Sequence, residues 1–202
     1  MNIGIVVGSM REKSESGRVG EYLEEVLKNK NIISDTFNLK KISLPFWDED
    51  FWEDTENWKQ IWFPVSERLK NCSGFLFICP EYGGMASPVL KNFFLLCNRQ
   101  ELAHKPALIV SLSGSRGGAY PVSELRMSSY KNTFINYIPE HIVIRNVSHL
   151  LHNAVKDEFQ KEDQFIRERI EYSINILIAY AEALASVRSK NLFDYKKFKN
   201  GM

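Results

Sequence analysis

The chain has 202 residues, 44% hydrophobic and 25% charged, with 26 Lys+Arg against 25 Asp+Glu for a formal charge of +1. That balance excludes a chain drawn onto nucleic acid by bulk charge, and it excludes disorder, which needs low hydrophobicity with high net charge. The length suits one domain whose core needs neither metal nor disulfide, so a single unit over residues 1–190 with a tail over 191–202 is expected.

Residues 2–7 (NIGIVV) form a short apolar run ending at Gly8 and Ser9, without the basic flank of a signal peptide. Helical spacing follows over 17–29, with Val19, Leu23, Val26 and Leu27 on one face. A weakly alternating stretch over 33–39 predicts a less buried strand, and GFLFIC at 74–79 a buried one stopped by Pro80. Pro88 opens a predicted helix over 88–98. PALIVSL at 106–112 predicts another buried strand, 119–135 a helix and HIVIRNV at 141–147 a strand. The clearest helix comes last, where Ile166, Ile170, Ile174, Leu177, Ala181 and Leu184 recur at i+3 and i+4. No apolar run approaches the ~20 residues that span a bilayer. Strand and helix alternate, which predicts an α/β three-layer domain built on a doubly wound five-stranded parallel sheet. In such a sheet ligands bind outside the carboxyl ends of the strands, so the segments after residues 7, 79 and 112 are where chemistry is expected.

Those segments are rich in small and polar residues. GSMREKSESG at 8–17 places Ser9, Ser14, Ser16 and Arg11 just before a helix, whose free N–H groups and dipole attract anions. It lacks the endings of a nucleotide-triphosphate loop and of a dinucleotide fingerprint. PEYGGMASPVLKN follows the third strand, with Gly83 and Gly84 able to take positive φ and admit a flat ligand. SGSRGGA at 113–119 follows the fourth, again small and glycine-paired. The cysteines, Cys72, Cys79 and Cys97, form no C-x-x-C pair and sit in apolar stretches, so they read as buried reduced thiols of a cytoplasmic protein. No Cys stands in the spacing before an Arg that a low-molecular-weight phosphatase needs.

The chain resembles the NADPH-dependent FMN reductase family, flavodoxin-like oxidoreductases that include quinone, chromate and azo-dye reductases. GSMREKS resembles the family's G-S-x-R-x-x-S phosphate loop, PEY at 80–82 with LKN at 90–92 resembles its P-E-Y-N…L-K-N signature, and GSRGGAYPVSELR resembles its Gly-Gly…Leu-Arg segment. The resemblance implies that Ser9, Arg11, Ser14 and Ser16 hold the FMN phosphate, with Gly17 opening the helix. It implies that Pro80, Glu81, Tyr82 and Gly83 border the isoalloxazine, and that Ser113, Gly114, Ser115, Gly117 and Gly118 close its other side. The family often has Asn at the positions of Ser16 and Gly83, and Asp-Trp at Leu95-Leu96.

The activity implied is hydride transfer from NAD(P)H, as co-substrate, through FMN to a quinone, flavin or similar small acceptor. A homodimer or homotetramer is expected, with no nucleic-acid or membrane partner. A flavodoxin-like electron carrier, or a flavin-less binding module on the same fold, are the alternatives; carriers display an acidic face, and this chain is neutral overall. The cofactor does the difficult chemistry, so no catalytic side chain is named, and backbone N–H groups near the ring are expected to stabilise its reduced anion. Glu81 is either an acid/base or a carboxylate paired with Lys or Arg. The aromatic and acidic stretch at 46–63, with Trp47, Trp52, Trp58 and Trp62, either walls a pocket or an oligomer contact, or packs on its own sheet. Helix 88–98 has almost no polar face and is expected to meet a second subunit. His149 and His152 lack a third ligand for a metal, Arg126 and Glu124 are expected to pair, and Phe193 and Phe198 belong to a frayed or docking tail.

Overall fold

A computed structural model of the chain describes residues 1–190 and 192–198. Five strands, β1 (Asn2–Val7), β2 (Ile33–Asn38), β3 (Gly74–Tyr82), β5 (Pro106–Leu112) and β6 (Asn136–Ile144), pair in parallel in the order β2-β1-β3-β5-β6. A two-residue β4 (Met85–Ala86) folds back antiparallel on the end of β3. The order reverses between β1 and β3, so the first and third crossovers leave opposite sides of one crevice.

Each central strand alternates between two cores, as its pleat requires. Ile3, Ile5, Val7, Leu76, Ile78, Leu108 and Val110 face α1 (Glu15–Asn29) and the long α7 (Gln160–Ser189). Val6, Phe75, Phe77, Cys79, Ala107 and Ile109 face the side of α3 (Glu56–Lys70) and α4 (Pro88–Leu96). Three shorter helices, α2 (Leu39–Ile42), α5 (Arg99–Leu102) and α6 (Tyr120–Met127), complete the layers. Asn98 caps α5 with a reciprocal box to Glu101, whose buried carboxylate also accepts from the Ser66 hydroxyl on α3 at 2.5 Å. Lys105 is buried and donates to the carbonyls of Leu69 and Lys70, both at 2.9 Å, so its ammonium closes the end of α3.

Several boundaries differ from those the sequence predicts. β6 starts at Asn136 rather than 141 because Pro139, which has no N–H to give, sits where the ladder with β5 shifts register between Ala107 and Ile109. It is tolerated because β6 is an edge strand. The helix predicted over 119–135 ends at Met127, since Ser129, Asn132 and Phe134 take left-handed backbone (φ 64°, 68° and 54°). The stretch 46–63 is mixed: a 3-10 turn at Glu49–Phe51, then α3, which continues past Pro64 to Lys70. Trp58 and Trp62 are buried on the sheet, whereas Phe46, Trp52 and Phe63 face outward.

Among the described residues, Asp157–Ser189 is long and apolar enough to cross a membrane by length and composition, which the sequence pattern alone does not predict. Its face of Ile166, Ile170, Ile174, Leu177 and Ala181 is buried against the sheet. After α7, Phe193 stacks on the ring of His104 at 3.8 Å, and Tyr195 lies beside both, while Phe198 is exposed. The tail therefore docks through Phe193; residues 191 and 199–202 of the expected tail lie outside the described residues.

Candidate functional site

The loops after β1, β3 and β5 meet at the carboxyl edge of the sheet. In the first, Ser14 caps α1 and accepts the Gly17 N–H on its Oγ at 2.9 Å. The helix opens at Glu15, so Gly17 is its third residue rather than its first, and its N–H is committed to the cap. Ser9 and Ser16 are buried at the loop's base, whereas Arg11 is exposed. Ser9 Oγ accepts the Arg11 backbone N–H at 3.3 Å and lies 2.9 Å from the Tyr82 hydroxyl. That bond ties the first loop to the second.

The second loop is a two-residue hairpin. Tyr82 pairs with Met85 across Gly83 and Gly84, whose φ values of 58° and 75° are the left-handed pair such turns require. The turn is held from behind by the LKN segment. Leu90 is in the core, and Lys91 bonds the Glu124 carboxylate at 2.5 Å. Asn92 accepts the Trp47 N–H and donates to the Pro45 carbonyl. Glu124 also accepts the Ala86 N–H at 2.7 Å, and these two donors hold its carboxyl below the usual range. Glu124 and Arg126 therefore do not pair with each other. Arg126 instead donates to the carbonyls of Ile138, Pro139 and Glu140, stitching the irregular start of β6.

The third loop is joined to the second by Glu81. Its carboxylate accepts the Gly118 N–H at 2.7 Å, not a Lys or Arg. A Cβ at Gly117 would collide with Glu81 Oε1 and displace that carboxylate, and one at Gly118 would lie 2.7 Å from Val143 at φ 103°, so Gly118 requires glycine. On its other flank the loop is zipped to the segment after β6. Ser113 N–H donates to Ile144, Asn146 N–H to Ser115 and Val147 N–H to Ser113. Ser115 N–H turns back onto Ser113 Oγ at 3.2 Å. A Cβ at Gly114 would meet nothing within 4 Å, so its backbone faces open space.

Together the loops enclose a cleft of about 170 Å³ lined by Ser9, Arg11, Ser14, Ser16, Pro80, Glu81, Tyr82 and Gly114, with Glu15, Leu112 and Val147. Ser113, Ser115, Gly117 and Gly118 shape the third loop behind Gly114, and Gly83 is exposed at the hairpin turn. Sequence reasoning missed Arg18. Its guanidinium pairs with Glu15 at 2.6 Å and donates to the carbonyls of Val147 and Leu151, pinning the far wall of the cleft to α1. No local motif signals a bond that spans 129 residues.

Larger hollows exist elsewhere. One of about 750 Å³ is lined by Glu21, Glu24 and Glu25 with Lys28, so acids outnumber bases in it. An apolar groove of about 480 Å³ runs between α4 and the turn after α6, walled by Trp47, Trp52, Phe94 and Leu95. The smaller cleft is the one whose chemistry converges: a helix N-terminus, hydroxyls and a guanidinium for an anion, with backbone of two glycine loops beside them for a planar group. His149 stacks on Phe159 at 4.4 Å and His152 contacts the Ser148 carbonyl, and no metal-ligating group of three occurs among the described residues. Burial raises all three thiols, Cys79 to about 11 and Cys72 to about 12, so none is a nucleophile near neutrality.

Comparison with known proteins gives a consistent result. A family model described as NADPH-dependent FMN reductase matches residues 1–149. A curated quinone reductase from Pseudomonas putida is 28% identical over 123 residues, covering 58% of this chain and 63% of that protein, so the match spans under two thirds of the relative's length. Among solved structures, the flavoenzyme NAD(P)H:(acceptor) oxidoreductase FerB from Paracoccus denitrificans superposes with a TM-score of 0.70 at 19% identity, covering 90% of this chain and 97% of that one. An FMN-dependent NADH-azoreductase from Bacillus anthracis, solved with FMN, gives 0.59 at 16% identity over 88% of this chain and 99% of that one. These structures share the fold.

Proposed function

The chain belongs to the NADPH-dependent FMN reductase family, and on that premise we propose that it binds FMN and passes electrons from NAD(P)H to a small acceptor such as a quinone. The observation that carries this reading is the convergence of three loops on one cleft, fixed by the Ser9–Tyr82 and Glu81–Gly118 bonds. The donor set fits the cofactor. Ser9, Arg11, Ser14 and Ser16 meet its phosphate at the start of α1, where the dipole and a charge-assisted guanidinium bond both favour a dianion.

Pro80, Glu81, Tyr82 and Gly83 border the ring on one side, and the Ser113–Gly118 loop closes the other. When bound, FMN supplies hydride acceptance and release. The chain's part is to orient the ring and to present backbone N–H groups where its charge develops. Glu81 acts here as a strut, since one of its carboxylate oxygens holds the Gly118 N–H. A homo-oligomer belongs to the same reading, with exposed Trp52 and Leu95 beside the apolar groove as the contact. The three buried free thiols suit a reducing compartment, which we take to be the cytoplasm.

The test is direct. Purified protein is titrated with FMN while flavin fluorescence is followed, then reduced anaerobically with NADPH and reoxidised with a quinone. Quenching on binding, bleaching and recovery are expected. A folded sample, free of bound competitor, that gives no heat of mixing with FMN overturns the reading.

A further inference from the structure

Ten arginines occur in the sequence, and most have their charge or their donors engaged. Arg18, Arg68, Arg167 and Arg169 pair with carboxylates. Arg126 and Arg188 bond backbone carbonyls away from the cleft, and Arg99 lies over the ring of Tyr195. Arg11, Arg116 and Arg145 have no carboxylate partner among the described residues, and all three stand on the loops at the carboxyl edge of the sheet. Glu12 pairs with Lys40 at 3.0 Å and Glu15 with Arg18, while Glu81 is held by the Gly118 N–H and keeps its charge on the second loop. Three arginines without a carboxylate partner thus stand on the loops at this edge of a chain whose formal charge is only +1.

Arg145 is not a free surface side chain. Its Nε donates to the Arg116 carbonyl at 2.8 Å, which fixes the guanidinium beside the third loop and leaves its terminal N–H groups undirected. The backbone beneath is held by the Asn146–Ser115 and Val147–Ser113 bonds, so the segments that carry Arg116 and Arg145 keep a set spacing. A phosphate matches the planar fork of a guanidinium, and two guanidiniums carried on adjoining backbone segments can hold one between them. Arg11, across the cleft, is committed to the cofactor's own phosphate under the function proposed above.

We propose that Arg116 and Arg145 recognise a phosphate of the reducing pyridine dinucleotide at the rim of the cleft. This rests on that functional reading and extends it. A nicotinamide stacked on the ring must lay its ribose phosphates across the rim of the loops that border the ring. The phosphate has two sources with one chemistry: the pyrophosphate common to both dinucleotides, or the 2′-phosphate that only NADPH carries.

The experiment uses FMN-loaded protein and the variants Arg145→Ala, Arg145→Lys and Arg116→Ala. All three substitutions are at exposed positions and are expected to leave thermal stability unchanged. Affinities for 2′,5′-ADP and 5′-ADP are measured by calorimetry without turnover, followed by kcat/KM for NADPH and NADH. Arg145→Ala is expected to weaken 2′,5′-ADP by about tenfold or more, the loss of a charge-assisted bond, with Arg145→Lys in between. A loss confined to 2′,5′-ADP and NADPH assigns the 2′-phosphate; equal losses for both nucleotides and both reductants assign the pyrophosphate. Unchanged affinity for all of them overturns the proposal, and so does a parallel loss of FMN affinity, which would make Arg145 part of the cofactor site. A wild-type protein that fails to take up FMN at all overturns the functional reading itself, a result distinguishable from either.

Discussion

At the scale of single residues, Arg11 carries the most specific expectation. Its backbone is held by Ser9 while its side chain is exposed at the mouth of the cleft, so removing the guanidinium costs little packing. Arg11→Ala is expected to weaken FMN by roughly 10- to 100-fold, the range for a lost hydrogen bond to a charged group. Riboflavin, which lacks the phosphate, should be unaffected in the same fluorescence titration; equal losses for both ligands remove Arg11 from that role. Arg11 and the serines around it are legible in the sequence because everything they need is local: a strand end, a cap and a helix start within a few residues. Glu81 is not. The sequence offers a carboxylate beside a loop and suggests a cationic partner or a proton-transfer role, but its partner is a backbone N–H 37 residues away. Gly117 could have been the clue, since a glycine whose Cβ would collide with a carboxylate marks where that carboxylate lies. The collision becomes visible only once both loops are folded.

At the scale of elements, what the sequence reveals follows burial. The limits of β1 and β5 agree with the apolar runs at 2–7 and 106–112, because central parallel strands are covered on both faces and show uninterrupted hydrophobicity. Edge strand β6 and the turn after α6 are misread because a register shift and left-handed residues obey tertiary contacts rather than periodicity. The aromatic stretch 46–63 shows both outcomes in one segment. Trp62 is 8% exposed and packs edge-on against Phe93 and Phe51, whereas Trp52 is 74% exposed and leans on Trp47. Trp62→Ala is therefore expected to cost about 3–5 kcal/mol in urea unfolding, as large aromatic deletions in cores do. Trp52→Ala should change the stability of an isolated chain by under about 0.5 kcal/mol. If a second copy covers Trp52 and Leu95, Trp52→Ala and Leu95→Glu should instead shift sedimentation velocity toward the monomer; an unchanged oligomer for both variants removes this face from the contact.

At the scale of the whole molecule, the protonation balance sets how the fold responds to acid. His104, half buried beneath Phe193 and Phe134, is pushed below the usual imidazole range, first by burial and then by the Arg188 guanidinium whose Nη1 bonds its carbonyl. His141 is lowered in the same way, by burial and then by Arg126, with Arg169 adding to the effect. Both therefore stay neutral in the folded chain at pH values where the unfolded chain has begun to bind protons. Stability then rises with pH across that interval, so it should fall as the pH drops below the ordinary histidine value of about 6.5. Glu124 adds a second stage. Its folded pKa is depressed by Lys91 and the Ala86 N–H, so its contribution is present above the ordinary carboxylate value and is lost as the pH falls through the lowered one. A thermal scan series from neutral to acid pH should show a plateau, a first decline led by the histidines and a steeper one in the carboxylate range. Two substitutions separate the stages. His104→Asn keeps a residue that tolerates the left-handed backbone found there (φ 54°) and, with His141→Gln, should flatten the first decline while leaving the second. Glu124→Gln should lessen the second and loosen the hairpin at Ala86, which would also appear as weaker FMN binding because β4 fixes the far end of the turn that follows Tyr82. A first decline that persists unchanged in the double histidine variant would remove His104 and His141 from control of stability in that interval.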